Sequence, residues 1–323
     1  MYSSPNVTVG RICIIHVVAA GLLTLLSSQA CAQSSVDQLF KEEIAKLDAS
    51  EATLKQHPGD AEARQAEVNT AIAVALKSKS AGRNEDALSF LLRAKYWVPD
   101  NVELLLDTGI QEESMNLFKD ADAALAEAQR LRPGDPKTLY AIARVKMDLG
   151  QTQASDEAWR SYLDQRPDDA SAHYGYGVLL QMLQRSEDAR TQFLKSVQLS
   201  PQQGESYYRL GELAREEGDQ AQAKAYYEQT LAHVPSHAGA LTGLAILAYE
   251  AHQYEEAEGE LEKALAASPN FQTAHYYHGL ILAKLGRKQE SQAELDLAVR
   301  LTNEQNAHKD QMKQLSAQPY QPK

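Results

Sequence analysis

Four tyrosines, Tyr140, Tyr174, Tyr208 and Tyr276, stand 34, 34 and 68 residues apart. A phenol ring offers rigid apolar contact area with a hydroxyl at its wet end, so such a row suits binding rather than bond-making. One helical turn beyond the first three lie Arg144, Val178 and Glu212, and Leu280 follows Tyr276 at the same interval. Residues four apart share a helix face, so the row would have an apolar floor carrying a few charges. That surface fits an extended or helical peptide with apolar anchors. We therefore take Tyr140, Tyr174, Tyr208, Tyr276, Arg144, Val178 and Glu212 as candidate peptide-binding residues. The plainer alternative is that the rings only fill gaps between neighbouring helices.

Other chemistry is weakly signalled. His275 and His278 are spaced i, i+3, while His233 and His237 straddle Pro235 and cannot share a helical face. A zinc site needs three or four converging ligands, and the sequence spacing brings no further histidine or carboxylate to the first pair. Hydrogen-bonded core histidines are the expectation, with no metal and no other cofactor. The sequence holds no G-x-S-x-G, no G-x-x-x-x-G-K-[ST] and no H-E-x-x-H. Without a visible nucleophile, phosphate loop or metal pair, an enzyme is not expected.

The elements that position these residues are set by proline. Pro99, Pro133, Pro167, Pro201, Pro235 and Pro269 recur every 34 residues. A fixed period of this length marks a helical repeat array, whose units bury their apolar faces only by stacking. Units beginning at Val68, Val102, Pro136, Ala170, Gly204, Ala238 and Gln272 align further positions. The eighth is always Gly or Ala, the twentieth is Ala or Ser, and the twenty-fourth runs Leu91, Leu125, Trp159, Phe193, Tyr227, Leu261 and Leu295. Small residues let two helices approach, and the large one fills the space beside them. Gly82, Gly150, Gly218 and Gly286 break their units at the fifteenth position, giving two helices of about 14 residues each. Proline ends the second helix, and Asp100, Asp135, Asp169, Ser236 and Asn270 are candidate N-caps for the next unit.

This pattern resembles the tetratricopeptide repeat: a small eighth residue, alanine at twenty, a large residue at twenty-four and proline at thirty-two. The resemblance covers residues 68–305. It implies an all-α, right-handed superhelical solenoid of antiparallel helix pairs, with positions five and nine of each leading helix lining a concave groove for a peptide or partner helix. Glu112 and Lys146 depart from it at the eleventh position, normally an apolar core site, and Asn303 replaces the last proline. Family members that clamp a chaperone's C-terminal carboxylate carry Lys and Asn at positions five and nine. No unit here has that pair, so this activity is not expected, and Arg209 at position six reads as solvated or ion-paired.

The flanks complete the organisation. Arg11 is followed by the apolar run Ile12 to Leu26 and by Ala30-Cys31-Ala32. This reads as a secretory signal peptide cleaved after Ala32, which places the chain in the periplasm or outside the cell. An uncleaved anchor or a lipid on Cys31 is the alternative. Both cysteines, Cys13 and Cys31, lie within that segment, so the mature chain would have no disulfide. Residues 1–32 are thus the signal peptide, 33–67 an N-terminal helical cap, 68–305 the seven repeats and 306–323 a capping helix with a disordered tail. The formal charge of −12, from 44 acidic and 32 basic residues, argues against nucleic acid and anionic membrane surfaces as partners. The chain therefore reads as a non-catalytic scaffold binding a protein or peptide partner in an envelope or secretion complex; the alternative is a structural or self-associating spacer.

Overall fold

A computed structural model describes residues 40–315. The signal-like segment, its cleavage site, Cys31 and the terminal tail lie outside the described residues. Among those residues there are fifteen helices and no strand. Before the repeats come α1 (Lys41–Gln56) and the start of α2 (Ala61–Ser80), which runs unbroken through Val68 and pairs with α3 (Asn84–Trp97). Then α4 (Val102–Ser114), α5 (Phe118–Leu131), α6 (Pro136–Asp148), α7 (Thr152–Gln165), α8 (Ala170–Met182) and α9 (Ser186–Leu199) follow. The chain continues as α10 (Gly204–Glu216), α11 (Gln220–His233), α12 (Ala238–Glu250), α13 (Tyr254–Ala267), α14 (Gln272–Lys284) and α15 (Lys288–Leu315). Each second helix from α3 to α13 ends two residues before its proline. α15 instead runs on for 28 residues through Asn303, where no proline stops it.

The chain divides into two compact units after Gln111. In the first, Phe40, Leu47, Leu54, Val74, Phe90, Leu91 and Leu104 form one buried cluster. Phe40 meets Phe90 edge-on at 5.6 Å and so plugs the end of this core. Glu67 of α2, fully buried, accepts a hydrogen bond from Ser50 of α1, and burial raises its carboxyl pKa. In the second unit, consecutive helices pack pairwise from α5 to α15. Leading helices also touch one another, α6 with α8, α10 with α12 and α12 with α14.

One contact sets the spacing of these pairs. A Cβ built on Gly177 would stand 2.6 Å from the Phe193 ring, on Gly211 2.6 Å from Tyr227, and on Gly279 2.7 Å from Leu295. Each is the eighth residue of a unit facing the twenty-fourth of the same unit. The neighbouring leading helix closes from the other side: Gly175 faces Trp159, and Gly243 faces Tyr227 at 2.5 Å. Where the twentieth residue is serine, it ties the pair further. Ser155 donates to the Ala143 carbonyl at 2.6 Å and Ser291 to the Gly279 carbonyl at 2.7 Å. Lys146, a polar residue at a core position, is accommodated by Asp122 at 2.8 Å and Gln151 at 2.8 Å.

The turns refine two expectations. All seven fifteenth positions have positive φ, the glycines at 70–81° and Asn116, Gln184 and His252 at 61°, 58° and 62°. The sixteenth N–H bonds back to the eleventh carbonyl in every unit, as in Arg185 N to Leu180 O at 2.9 Å, which is the Schellman closure. Glycine marks only four of these because the hydrogen-bond frame, not the residue, imposes the geometry. The N-caps sit two residues after each proline. Asp135 and Asp169 cap as expected, but Asn101, not Asp100, accepts from Leu104 N. His237, not Ser236, caps α12, and Phe271, not Asn270, occupies the next cap position with no side-chain bond.

A non-glycine residue in the left-handed region is strained by roughly 1–2 kcal/mol. Gln184→Gly should therefore raise stability by about 1 kcal/mol after glycine's own entropic cost, read as a shift in the urea midpoint. An unchanged or lowered midpoint would mean that this turn carries no such strain.

Candidate binding face

Tyr140, Tyr174, Tyr208, Thr242 and Tyr276 occupy the fifth position of α6, α8, α10, α12 and α14. Their settings differ. Tyr140 is half-buried, its ring 5.1 Å from Trp159 and 5.2 Å from Tyr162, both edge-on. Tyr174 lies 6.0 Å from Phe193 and donates its hydroxyl to Glu205 at 3.4 Å. Tyr208 stands 4.7 Å from the His237 ring and 6.3 Å from Tyr227, and a Cβ on Gly239 would come within 2.8 Å of it. Burial pushes the Tyr208 hydroxyl up to about 12, with the Glu212 carboxylate adding to the shift, so it remains a neutral donor at physiological pH. Burial raises Tyr140 and Tyr174 in the same direction. Tyr276 alone is open, 44% exposed and edge-on to Tyr277 at 5.4 Å. Thr242 is buried.

The ninth positions supply charges already held in pairs. Arg144 is exposed and reaches Glu113, itself buried, at 2.9 Å. Glu212 accepts from the Tyr227 hydroxyl and pairs with Arg215 at 3.1 Å. Arg209 lies over the Tyr208 ring at 5.7 Å and beside Glu205 at 3.6 Å, so it is ion-paired. Val178 is half-buried against the core that runs from α6 to α10. The hydrogen bond from His237 is the main cause that holds Glu205 below the usual carboxylate range. Because His237 Nδ1 accepts from Ala240 N at 3.0 Å, it is Nε2–H that donates to Glu205.

A second aromatic group escaped the repeat reading. Tyr249 lies 5.9 Å from Tyr254 and 6.2 Å from Tyr277, joining the end of α12 to α13 and α14. These rings fall at different unit positions, so the 34-residue alignment never sets them in one column.

Of the paired histidines, His275 is a hydrogen-bonded core residue, the ring nitrogens of His278 make no hydrogen bond, and His233 is exposed. His275 Nε2 donates to the Pro269 carbonyl at 2.8 Å and its Nδ1 meets Glu294. His173 makes the equivalent bond to Pro167 at 2.9 Å, with Gln192 in place of the glutamate. Sequence spacing gives His278 no acidic neighbour. Folding brings Glu294 to 3.5 Å and Glu258 to 3.8 Å of its ring, because α14 packs between α13 and α15. No group among the described residues has the arrangement to hold a metal ion, and none of the described helices is long and apolar enough to cross a membrane.

Residues 140–204 and 214–285 each match a family model of the tetratricopeptide repeat. These segments are tetratricopeptide repeats. A tetratricopeptide repeat protein from Parabacteroides merdae ATCC 43184 is similar in structure, with a TM-score of 0.61 and 17% identity, over 78% of this chain and 99% of its own. PilF of Pseudomonas aeruginosa superposes with a TM-score of 0.55 and 20% identity over 62% of this chain and 90% of its own. PilW, a widely conserved type IV pilus biogenesis factor, gives 0.54 and 20% over 60% and 90%. At these identities the likeness establishes the repeat fold. No curated protein matches the chain in sequence.

The uneven burial separates packing from exposure within one row. Tyr208→Ser should cost about 2 kcal/mol or more through lost packing, whereas Tyr276→Ser should stay within about 0.5 kcal/mol. Urea unfolding of the two variants decides this, and equal losses would contradict the assignment of Tyr276 to the open surface.

Proposed function

We propose that the leading-helix face of the tetratricopeptide repeats binds a peptide segment or helix of a protein partner. The carrying observation is the combination of an open Tyr276 ring and an outward Arg144 with the half-buried rings of Tyr140, Tyr174 and Tyr208. Rings braced by neighbouring helices lose little conformational freedom when covered, which favours recognition. Each arginine of the face is already matched by a glutamate, so the pairs would orient a ligand more than attract a strongly charged one. Val178 and Glu212 complete the floor. The role is binding rather than catalysis. We infer from the signal-like N-terminus a partner in the envelope or among secreted proteins, with membrane attachment through an uncleaved signal or a lipidated Cys31 as the alternative.

The test is affinity capture from envelope and secreted extracts with the full chain and with a Tyr276→Ser, Arg144→Glu variant. This pair leaves the half-buried rings intact. A partner held by the first protein and lost from the second supports the reading. A partner retained by both moves the binding surface elsewhere, and no partner in either favours a structural spacer.

A further inference from the structure

Glu67 of α2 is a fully buried carboxyl that the repeat packing does not call for. Its Oε2 meets Ser50 Oγ of α1, and its Oε1 has no hydrogen-bond partner among the described residues. The Ser50 hydroxyl also lies 3.0 Å from the Leu47 carbonyl and 3.2 Å from the Lys46 carbonyl of its own helix. One hydroxyl carries one proton, so it cannot serve a backbone carbonyl and a carboxylate together. When Glu67 is ionised, either the backbone or the carboxylate goes without that proton, and Oε1 stays bare in both cases. When Glu67 is protonated, its O–H donates to Ser50 Oγ and Ser50 donates to the Leu47 carbonyl. Both bonds are then made, and Oε1 is an uncharged carbonyl oxygen, which costs less to bury than an anion.

The charged neighbours do not compensate the anion. From α1, Asp48 and Glu51 repel it; from α3, Arg93 attracts it, but that guanidinium is already paired with both Asp48 and Glu51. On its own helix, Arg64 is bound to Asp100. Burial is the largest influence and pushes the Glu67 carboxyl up.

We propose that Glu67 and Ser50 form a pH-sensitive latch that holds α1 against α2 and α3. Protonated, the latch is closed. Ionised, it loosens α1, whose Leu47 and Leu54 belong to the buried cluster of the first unit, and so uncovers the apolar side of the first helix pair. Because the folded-state value is raised, the latch stabilises fully below the ordinary carboxylate range and its contribution is lost as pH rises through the raised value. None of the proposed peptide-binding residues takes part.

The test is hydrogen exchange of the full chain and of Glu67→Gln, read segment by segment by mass spectrometry at pH 4 and pH 8. Glutamine keeps the shape and the donor of the acid form but cannot ionise. Comparing the two proteins at one pH cancels the intrinsic pH dependence of amide exchange. At pH 4 the α1 amides of the two should exchange within about twofold of each other. At pH 8 those of the native chain should exchange about tenfold faster than those of Glu67→Gln, because closing the latch must then take up a proton. Peptides from α9, in the second unit, should match in both proteins at each pH. A ratio of α1 rates that is the same at both pH values would overturn the latch. So would faster α1 exchange in Glu67→Gln at pH 8, which would make the ionised carboxylate the form that packs. Unprotected α1 amides in both proteins at pH 4 would overturn it as well, because no closed latch would then exist.

Discussion

Everything in the repeat depends on how closely a leading helix can approach the large side chain at the twenty-fourth position. Tyr227 shows the constraint at its tightest: Gly211 of its own unit and Gly243 of the next press on the two sides of its ring. Dispersion is short-ranged, so a gap of even half an ångström would forfeit much of the attraction, and a methyl group would force the helices apart. Once that spacing is set, the rotation of each leading helix follows. Positions four, seven and eight turn inward, and five and nine fall at the edge of that core, from the buried Thr242 and Ile246 to the exposed Arg144 and Tyr276. The row of tyrosines is therefore a by-product of core packing before it is anything else.

This order of causes explains why the rings are unequal. Tyr140 and Tyr208 lie against aromatic residues of the second helices, while among the described residues Tyr276 meets only the ring of Tyr277. The same side-chain type at the same unit position serves packing in one unit and exposure in another, according to what the neighbouring column supplies. Charge follows the pattern: Arg144, Arg209 and Arg215 each find a glutamate on the same face, which keeps a chain of formal charge −12 locally balanced there.

The features that recur at 34 residues were legible in the sequence: the helix pairs, the small eighth residue, the large twenty-fourth and the stop at each proline. What was not legible lies between the columns. Asn116, Gln184 and His252 adopt the left-handed turn without being glycine because seven Schellman closures demand it. Asn101 and His237 cap helices one residue later than the sequence suggested, since cap position is fixed by distance from proline rather than by residue type. Glu258 and Glu294 reach His278 from two different second helices, and Tyr249, Tyr254 and Tyr277 assemble from three unit positions. Contacts between unlike positions of successive units leave no trace in a single aligned column.

The most direct measurement is a stability cycle on Gly211 and Tyr227. Alanine is the better helix former by about 1 kcal/mol, so propensity alone would make Gly211→Ala stabilising. The close approach of the Tyr227 ring predicts the reverse, a loss of about 1–3 kcal/mol from overpacking. In a Tyr227→Leu background the same Gly211→Ala change should become neutral or stabilising. If it stabilises the chain in both backgrounds, or costs the same in both, the contact does not set the helix spacing.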